Sequence, residues 1–405
     1  MSELFIELFS EEIPSKLQVD ARIKIKQVLE EKLKKKEINF KLSKSFSTPK
    51  RLVFVISGIP DKIEEKQKII KGPKVDAKKE ALEGFLKSNN LSKSNLYKQK
   101  IEKGEFYFIK TKSKIVDVLK ELQTIIPETL QSYSWKKSMR WANYDLNWGR
   151  PLKSIIALFG NNIINFDFFH LKTGDFTTVD GLKEENLKKV INFKSYLNIL
   201  KSQNIILDQE KRKNLVLKKM SSICNNKNLS SKFSEKLVEE VINLVEKPNV
   251  ILCKFNDVYL KVPQEILVIT MQQHQKYFPL FGSNKKLTNF FLLVSNLPDK
   301  KGFIKAGNQK VIEARLSDAK FFWEKNRNQN LVKQVSKLKS LIFFNQLGSF
   351  YNRTQRLRKL ASLISDQLNI NKEKVEIASS ICKADLVSDL VGEYPELQGV
   401  MGKYF

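Results

Sequence analysis

Histidine is almost missing from these 405 residues: His170 and His274 are the only two. A histidine-rich metal centre, a Ser-His-Asp triad or a Cys-His pair would need one of them beside suitable partners, and neither sits in such a pattern. His170 follows Phe166-Asp167-Phe168-Phe169 and reads as a strand-end residue. His274 lies in Met271-Gln272-Gln273-His274-Gln275-Lys276-Tyr277, a polar–aromatic run that suits either an RNA contact or a turn cap. Cysteine is scarce too. Cys224, Cys253 and Cys382 are far apart and form no CxxC pair, which argues against a zinc ribbon or disulfide scaffold and fits a reducing compartment. Neither a GxxxxGKS/T phosphate loop nor a GxGxxG turn occurs. Apolar runs such as Phe290-Phe291-Leu292-Leu293-Val294 are too brief to span a bilayer. The opening Met1-Ser2-Glu3-Leu4-Phe5-Ile6-Glu7 is acidic and alternating, unlike a signal peptide. These absences lead to the expectation of a soluble, cytoplasmic protein.

What is abundant is positive charge. The chain has 72 Lys and Arg against 44 Asp and Glu, a net +28. Such a surplus favours a polyanionic partner, because neutralising phosphates releases condensed counterions. The cations are mostly Lys, and Asn and Ile are also frequent, which an AT-biased genome would produce by itself. With 41% hydrophobic residues the chain is expected to fold, and its length predicts more than one domain.

Residues 4–9 read as a strand. Pro14 then opens a helical pattern through Leu17, Ala21, Ile25, Val28, Leu29 and Leu33. A strand is expected over 52–57, a short helix over 81–86, a strand over 106–109, a helix over 116–132 and two short strands around Gly160-Asn161-Asn162. Long helices are expected over 196–225 and 234–245, a strand over 250–255, a helix over 263–271, and β-rich segments over 275–281 and 290–294. From Asn308 onward the periodicity predicts helix only: 311–325, 331–344, 351–368 and 372–391. The fold class is therefore α+β and multidomain, with a mixed region over 1–315 and an all-α region over 316–405. The abrupt end at Phe405, without a cap or polar tail, reads as a fragment of a longer protein.

Three segments join cations to aromatics and turn residues: Thr48-Pro49-Lys50-Arg51-Leu52, Trp135-Lys136-Lys137-Ser138-Met139-Arg140-Trp141, and Trp148-Gly149-Arg150-Pro151. Arg and aromatic faces suit unpaired bases, and Lys suits phosphate as a point charge. The alternative is that the aromatics are core and the cations snorkel to solvent.

The same segments carry a family resemblance. Glu11-Glu12-Ile13-Pro14, Thr48-Pro49-Lys50-Arg51-Leu52, Lys71-Gly72-Pro73, Met139-Arg140-Trp141 and Gly149-Arg150-Pro151 resemble successive landmarks of the glycyl-tRNA synthetase beta subunit family. Leu244-Val245-Glu246-Lys247-Pro248, Val262-Pro263, Gln275-Lys276-Tyr277-Phe278-Pro279 and Ser295-Asn296 continue the series in order. The longest match runs from Gly307-Asn308-Gln309-Lys310 through Ala314-Arg315-Leu316-Ser317-Asp318-Ala319 to Phe321-Phe322. Lys383-Ala384-Asp385-Leu386 and Glu396-Leu397-Gln398-Gly399 close it. One element departs: where the family usually has a Gly-His-Arg-Phe-type element, Gly174-Asp175-Phe176-Thr177 stands here.

The resemblance implies a beta subunit without aminoacylation chemistry, binding tRNA(Gly) within an alpha2beta2 tetramer. ATP, with magnesium, would be used by the alpha subunit, and no cofactor is expected on this chain. It implies no DNA or membrane partner, and a carboxy-terminal anticodon-binding domain in the family that these residues lack. The region after 315 resembles the HD superfamily. With no histidine after His274, and Lys383-Ala384-Asp385 where a His-Asp pair is expected, it should be inactive as a phosphohydrolase. Candidate RNA contacts are Lys50, Arg51, Lys71, Arg140, Trp141, Arg150 and Lys276. In the long motif, Ala314, Leu316, Ala319 and Phe322 have helical spacing and are expected to pack, with Arg315 and Asp318 placed to pair. Three rivals remain: a metal phosphohydrolase, which needs the missing histidines; an RNA-binding adaptor unrelated to charging; and a membrane-surface protein, which needs a concentrated basic amphipathic helix.

Overall fold

The computed structural model describes residues 1–65, 69–77, 79–88, 96–101, 104–110, 113–179, 186–231, 233–328 and 330–405. The chain divides into two compact units, Met1–Gln209 and Glu210–Phe405.

The first unit runs β1 (Ser2–Ser10), α1 (Ser15–Lys35), β2 (Leu42–Thr48), β3 (Arg51–Ile59), β4 (Lys62–Glu65), β5 (Ile69–Lys74), α2 (Lys79–Ser88), β6 (Leu96–Ile101), β7 (Gly104–Lys110), β8 (Lys114–Asp117) and α3 (Val118–Ser132). It continues with β9 (Leu152–Phe159), β10 (Asn162–Ile163), β11 (Asp167–Phe168), β12 (Leu171–Gly174), β13 (Phe176–Thr178), β14 (Leu187–Lys189) and α4 (Phe193–Ser202). A seven-stranded sheet in the order β11-β12-β9-β1-β3-β2, with β10 on β9, forms its centre. Strands β5-β7-β6 and β4-β8 make two smaller sheets.

Strand β1 is buried on both faces because its side chains alternate between two cores. Leu4, Ile6 and Leu8 join Leu17, Ala21, Ile25, Leu29 and Leu33 of α1 and Leu122, Ile125 and Ile126 of α3. Phe5 points the other way, into Val53, Val55, Ile156, Leu158 and Tyr196 and Leu200 of α4. Each fully buried Leu, Ile or Phe of this kind contributes about 1.5–3 kcal/mol. Helix α1 stops where Glu37 enters the left-handed region at φ 57. Its amide donates to Lys34 O (3.0 Å) and that of Ile38 to Leu33 O (3.0 Å), satisfying the last carbonyls.

The second unit contains α5 (Gln209–Asn226), α6 (Glu235–Ile242), β15 (Asn249–Lys254), α7 (Gln264–Ile269) running into a π-helical turn (Thr270–His274), β16 (Phe278–Phe281), β17 (Leu287–Ser295) and α8 (Phe303–Asn326). Then come α9 (Leu331–Gln334), β18 (Ile342–Phe344), β19 (Gly348–Ser349), α10 (Phe350–Gln367), α11 (Lys372–Ile381) and α12 (Asp389–Glu393). The sheet β15-β17-β16 again faces two cores. Phe278, Leu280 and Leu292 meet Val216, Met220, Val238 and Ile242 of α5 and α6. Phe291 and Leu293 meet Ile266, Leu267, Ile312, Leu316 and the terminal residues Leu390, Leu397 and Met401.

Several expectations need correction. The tail is not all-α. Ile342 pairs with Ser349 and Phe344 with Gly348 as a hairpin whose first strand takes the end of the expected 331–344 helix. The β-forming triplet Ile342-Phe343-Phe344 precedes Gly348, whose φ of 78 reverses the chain. Ser349 then caps α10, accepting from Asn352 N at 3.3 Å. The expected 372–391 helix likewise breaks, and Ser388 restarts it by accepting from Val391 N at 3.2 Å. The expected 196–225 helix is two helices, because Asn204 takes φ 59 after α4 while the Ile205 amide returns to Leu200 O at 2.9 Å. Helix α8 runs unbroken through residue 315, and its Ile312 and Leu316 share one core with residues before and after it. In the long motif Leu316 and Ala319 are buried and Phe322 packs against the same core. Ala314, however, is exposed and Ile312 takes the inward position. Arg315 and Asp318 form no ion pair among those of the described residues.

Candidate nucleic-acid interface

The cationic–aromatic segment 133–150 is a loop built on a buried aromatic stack. Tyr133, Trp135, Trp148 and Phe168 follow one another edge to face, with ring centroids 5.1, 5.0 and 5.9 Å apart. Such edge-on contacts are favoured by the ring quadrupoles. Gly149 lies flat against this stack: a Cβ there would sit 2.4 Å from the Trp135 ring, so no side chain fits. Met139 and Trp148 exchange backbone hydrogen bonds of 2.8 and 3.1 Å, closing the loop.

Between those two residues the chain turns outward. Arg140 Nε donates to Tyr144 O at 2.7 Å, and its guanidinium pairs with the Asp145 carboxylate. Tyr144 stacks on His170 at 3.6 Å and 7°, and Trp141 meets the same imidazole edge-on at 5.6 Å. Tyr144 and Phe169 are exposed, and Phe169 takes φ 55 in the β11–β12 turn. A cleft of about 320 Å³ opens beside them, lined by Tyr133, Ser138, Asp145, Asn147 and Phe169 among others. Cations and exposed ring faces side by side are the chemistry that holds single-stranded bases and their phosphates.

Asp20 of α1 anchors the near end of this loop. It accepts from Tyr133 Oη at 2.9 Å and lies 3.5 Å from Lys136 Nζ. Partial burial opposes ionisation, but the hydrogen bonds from Tyr133 and Lys24 and the charge of Lys136 outweigh it and lower the Asp20 pKa from its ordinary 3.8. The partner Tyr133 is held protonated by burial and by Asp20. A depressed carboxylate pKa contributes stability above its ordinary value, and the contribution is lost as pH falls through the folded value. Asp20→Asn is therefore expected to lower Tm at neutral pH, with the difference from the unchanged protein shrinking below about pH 4. Equal Tm differences at both pH values would remove Asp20 from this role.

The structure gathers some of the candidate residues and separates others. Ser10 N donates to Lys50 O (2.8 Å), Ile13 N to Pro49 O (2.7 Å) and Glu11 N to Pro151 O (2.9 Å). Lys50 and Arg150 thus flank the exit of β1 at one end of the sheet, and Gly149 joins Arg150 to the loop carrying Arg140 and Trp141. Lys50 Nζ lies 4.0 Å from Glu12, and Arg150 donates to Gly149 O at 2.9 Å. Lys71 is apart on β5, its ammonium 3.7 Å from the centre of the Phe106 ring. Lys276 belongs to the second unit, at φ 58 and 3.0 Å from Glu240.

Arg51 is a correction. It is 1% exposed, so its guanidinium offers no surface to an RNA. It lies 3.1 Å from Glu7, donates to Thr178 O and covers the Phe9 ring. Glu7 needs it there: this carboxylate sits on the apolar Phe5 face of β1, where a buried charge survives only when paired. Conversely, Tyr144 and His170 were not among the candidates. Tyr144 stands in no periodic pattern, and its partner is brought in by a separate hairpin. The departure at 174–177 places Thr177 against Glu7 at 3.0 Å, while residues 180–185 lie outside the described residues. Among the described residues, no group of His, Cys, Asp and Glu is arranged to hold a metal ion, and no helix is long and apolar enough to cross a membrane.

Comparison with known proteins bears directly on this chain. The family described as Glycyl-tRNA synthetase beta subunit matches residues 4–405. Curated relatives named Glycine--tRNA ligase beta subunit include one from Clostridioides difficile, 35% identical over 412 residues and covering 99% of this chain and 60% of its own length. That from Rickettsia felis is 35% identical over 409 residues, covering 100% and 61%. That from Rickettsia typhi is 36% identical over 406 residues, covering 100% and 60%. This chain spans about 60% of the length of those relatives. On the strength of an unbroken match across both compact units, the chain belongs to the glycyl-tRNA synthetase beta subunit family.

Proposed function

We propose that this chain supplies tRNA-binding surface to a glycine–tRNA ligase as part of its beta subunit and performs no aminoacylation chemistry itself. The observation that carries this reading is the colinear family match over residues 4–405. The net +28 and the exposed cationic–aromatic loop support it. The alpha subunit would bind glycine, ATP and magnesium and form the adenylate, within an alpha2beta2 tetramer in the cytoplasm. This chain would hold tRNA(Gly) so that its terminal adenosine reaches that adenylate. Holding two reactants in register removes translational and rotational entropy from the barrier, an effect worth on the order of 7–11 kcal/mol at its limit.

Charging tests the reading. Glycine- and ATP-dependent glycylation of tRNA(Gly) by the full-length subunit is expected only when the alpha subunit is also present. An assembled pair that charges nothing would refute it in favour of an adaptor unrelated to charging. Within the loop, Trp141→Ala is expected to weaken tRNA binding by about 1–3 kcal/mol, the scale of one base–aromatic stack. Arg140→Ala should weaken it as well and flatten its salt dependence. Folded variants with unchanged affinity would leave the loop a purely structural role.

A further inference from the structure

The fully buried residues of helix α10 are polar. Thr354 and Ser365 are fully buried, their hydroxyls donating back to Phe350 O (2.9 Å) and Ser362 O (2.7 Å). Its junction with α11 is also polar: Arg358 donates to Glu376 at 2.6 and 3.2 Å, Ser362 to Glu376 at 3.1 Å, and Lys372 pairs with Asp366 at 2.9 Å.

The other side is apolar and open. Leu360, Ile364 and Leu368 recur every fourth residue as one stripe. Leu363 lies beside it, and Ile370 of the turn and Ile377 of α11 are exposed as well. All six are more than half exposed. The four hydrophobic clusters of the described residues include none of them. A helix takes most of its stability from an amphipathic face packed on a core, and soluble proteins rarely leave contiguous apolar surface open without a partner for it.

We propose that this face of α10 and α11 docks the polypeptide segment that the longer family members carry beyond the region matched by this chain. The chain corresponds to the amino-terminal portion of those relatives, about 60% of their length. The helices that carry the stripe therefore lie close in sequence to where the additional segment follows. The stripe itself calls for an apolar partner: it carries leucine and isoleucine, which offer a phosphate backbone nothing. The proposal stands independently of the tRNA-binding reading.

Hydrogen–deuterium exchange tests it. The remaining residues of the Rickettsia typhi relative are fused after Phe405, and amide exchange over 357–381 is compared in the chain with and without the fusion. Exchange on the order of tenfold slower in the fusion is expected. Leu360→Glu with Ile364→Glu should abolish that protection while leaving the circular dichroism of the unfused chain unchanged, since both side chains are exposed there. Equal exchange with and without the fusion overturns the proposal, as does protection that survives the double variant. Concentration-dependent protection of the unfused chain assigns the face to a second copy and overturns it too.

Discussion

Arg51→Met is expected to cost the Met1–Gln209 unit about 3–5 kcal/mol, the scale of breaking a buried ion pair from one side. Glu7 is 0% exposed, and its Oε1 accepts from Arg51 Nε (3.1 Å), Thr177 Oγ1 (3.0 Å) and Tyr196 Oη (2.6 Å). Methionine retains much of the volume of arginine but no charge. The carboxylate would remain on an apolar sheet face without the guanidinium charge that faces it. Urea unfolding measures the loss. The companion Arg51→Met with Glu7→Gln is the control. Glutamine keeps an acceptor for Thr177 and Tyr196 without the charge, so the double variant should regain part of the stability. If Arg51→Met unfolds like the unchanged protein, the guanidinium is not compensating a buried charge.

Leu316→Ala is expected to destabilise the Glu210–Phe405 unit by about 2–5 kcal/mol. Leu316 is fully buried on α8, in the cluster that holds Phe291 of the sheet, Ile266 of α7 and Leu390 of α12. Those partners come from separate elements that cannot all collapse into the vacated space, so the cavity cost adds to the lost transfer energy. Exposed Arg315→Ala in the same motif should change stability by no more than about 0.5 kcal/mol. Chemical denaturation separates the two readings of the motif. A packing motif gives a large effect at 316 and almost none at 315. An RNA-contact motif gives the reverse pattern when tRNA affinity is measured.

Much of the fold was legible because periodicity is a local property. The four-residue spacing of Leu17, Ala21, Ile25, Leu29 and Leu33 places α1, and the family landmarks from Glu11 to Leu397 identify the family. Errors came where a short signal interrupts a helical pattern. Asn204 ends α4, and Gly348 with Ser349 turns a hairpin and caps α10. A single left-handed residue or cap decides a boundary, while the averaged hydrophobic pattern on either side continues through it.

Of the candidate RNA contacts, local sequence placed cations next to aromatics but not the side chains' directions. The residues around Glu7 stand 44, 170 and 189 positions away from it, on β3, β13 and α4. Only folding brings them together, and their convergence turns Arg51 inward while Arg140, a few residues from the buried Trp135, stays outward. The Tyr144–His170 stack has the same origin. The sequence by itself determined the family, the basic character, the scarcity of histidine and most helices and strands, since composition, motifs and backbone periodicity need no distant partner. The tertiary structure alone decided which cations face solvent and which apolar stripe is left open, because burial is a property of what packs against a residue.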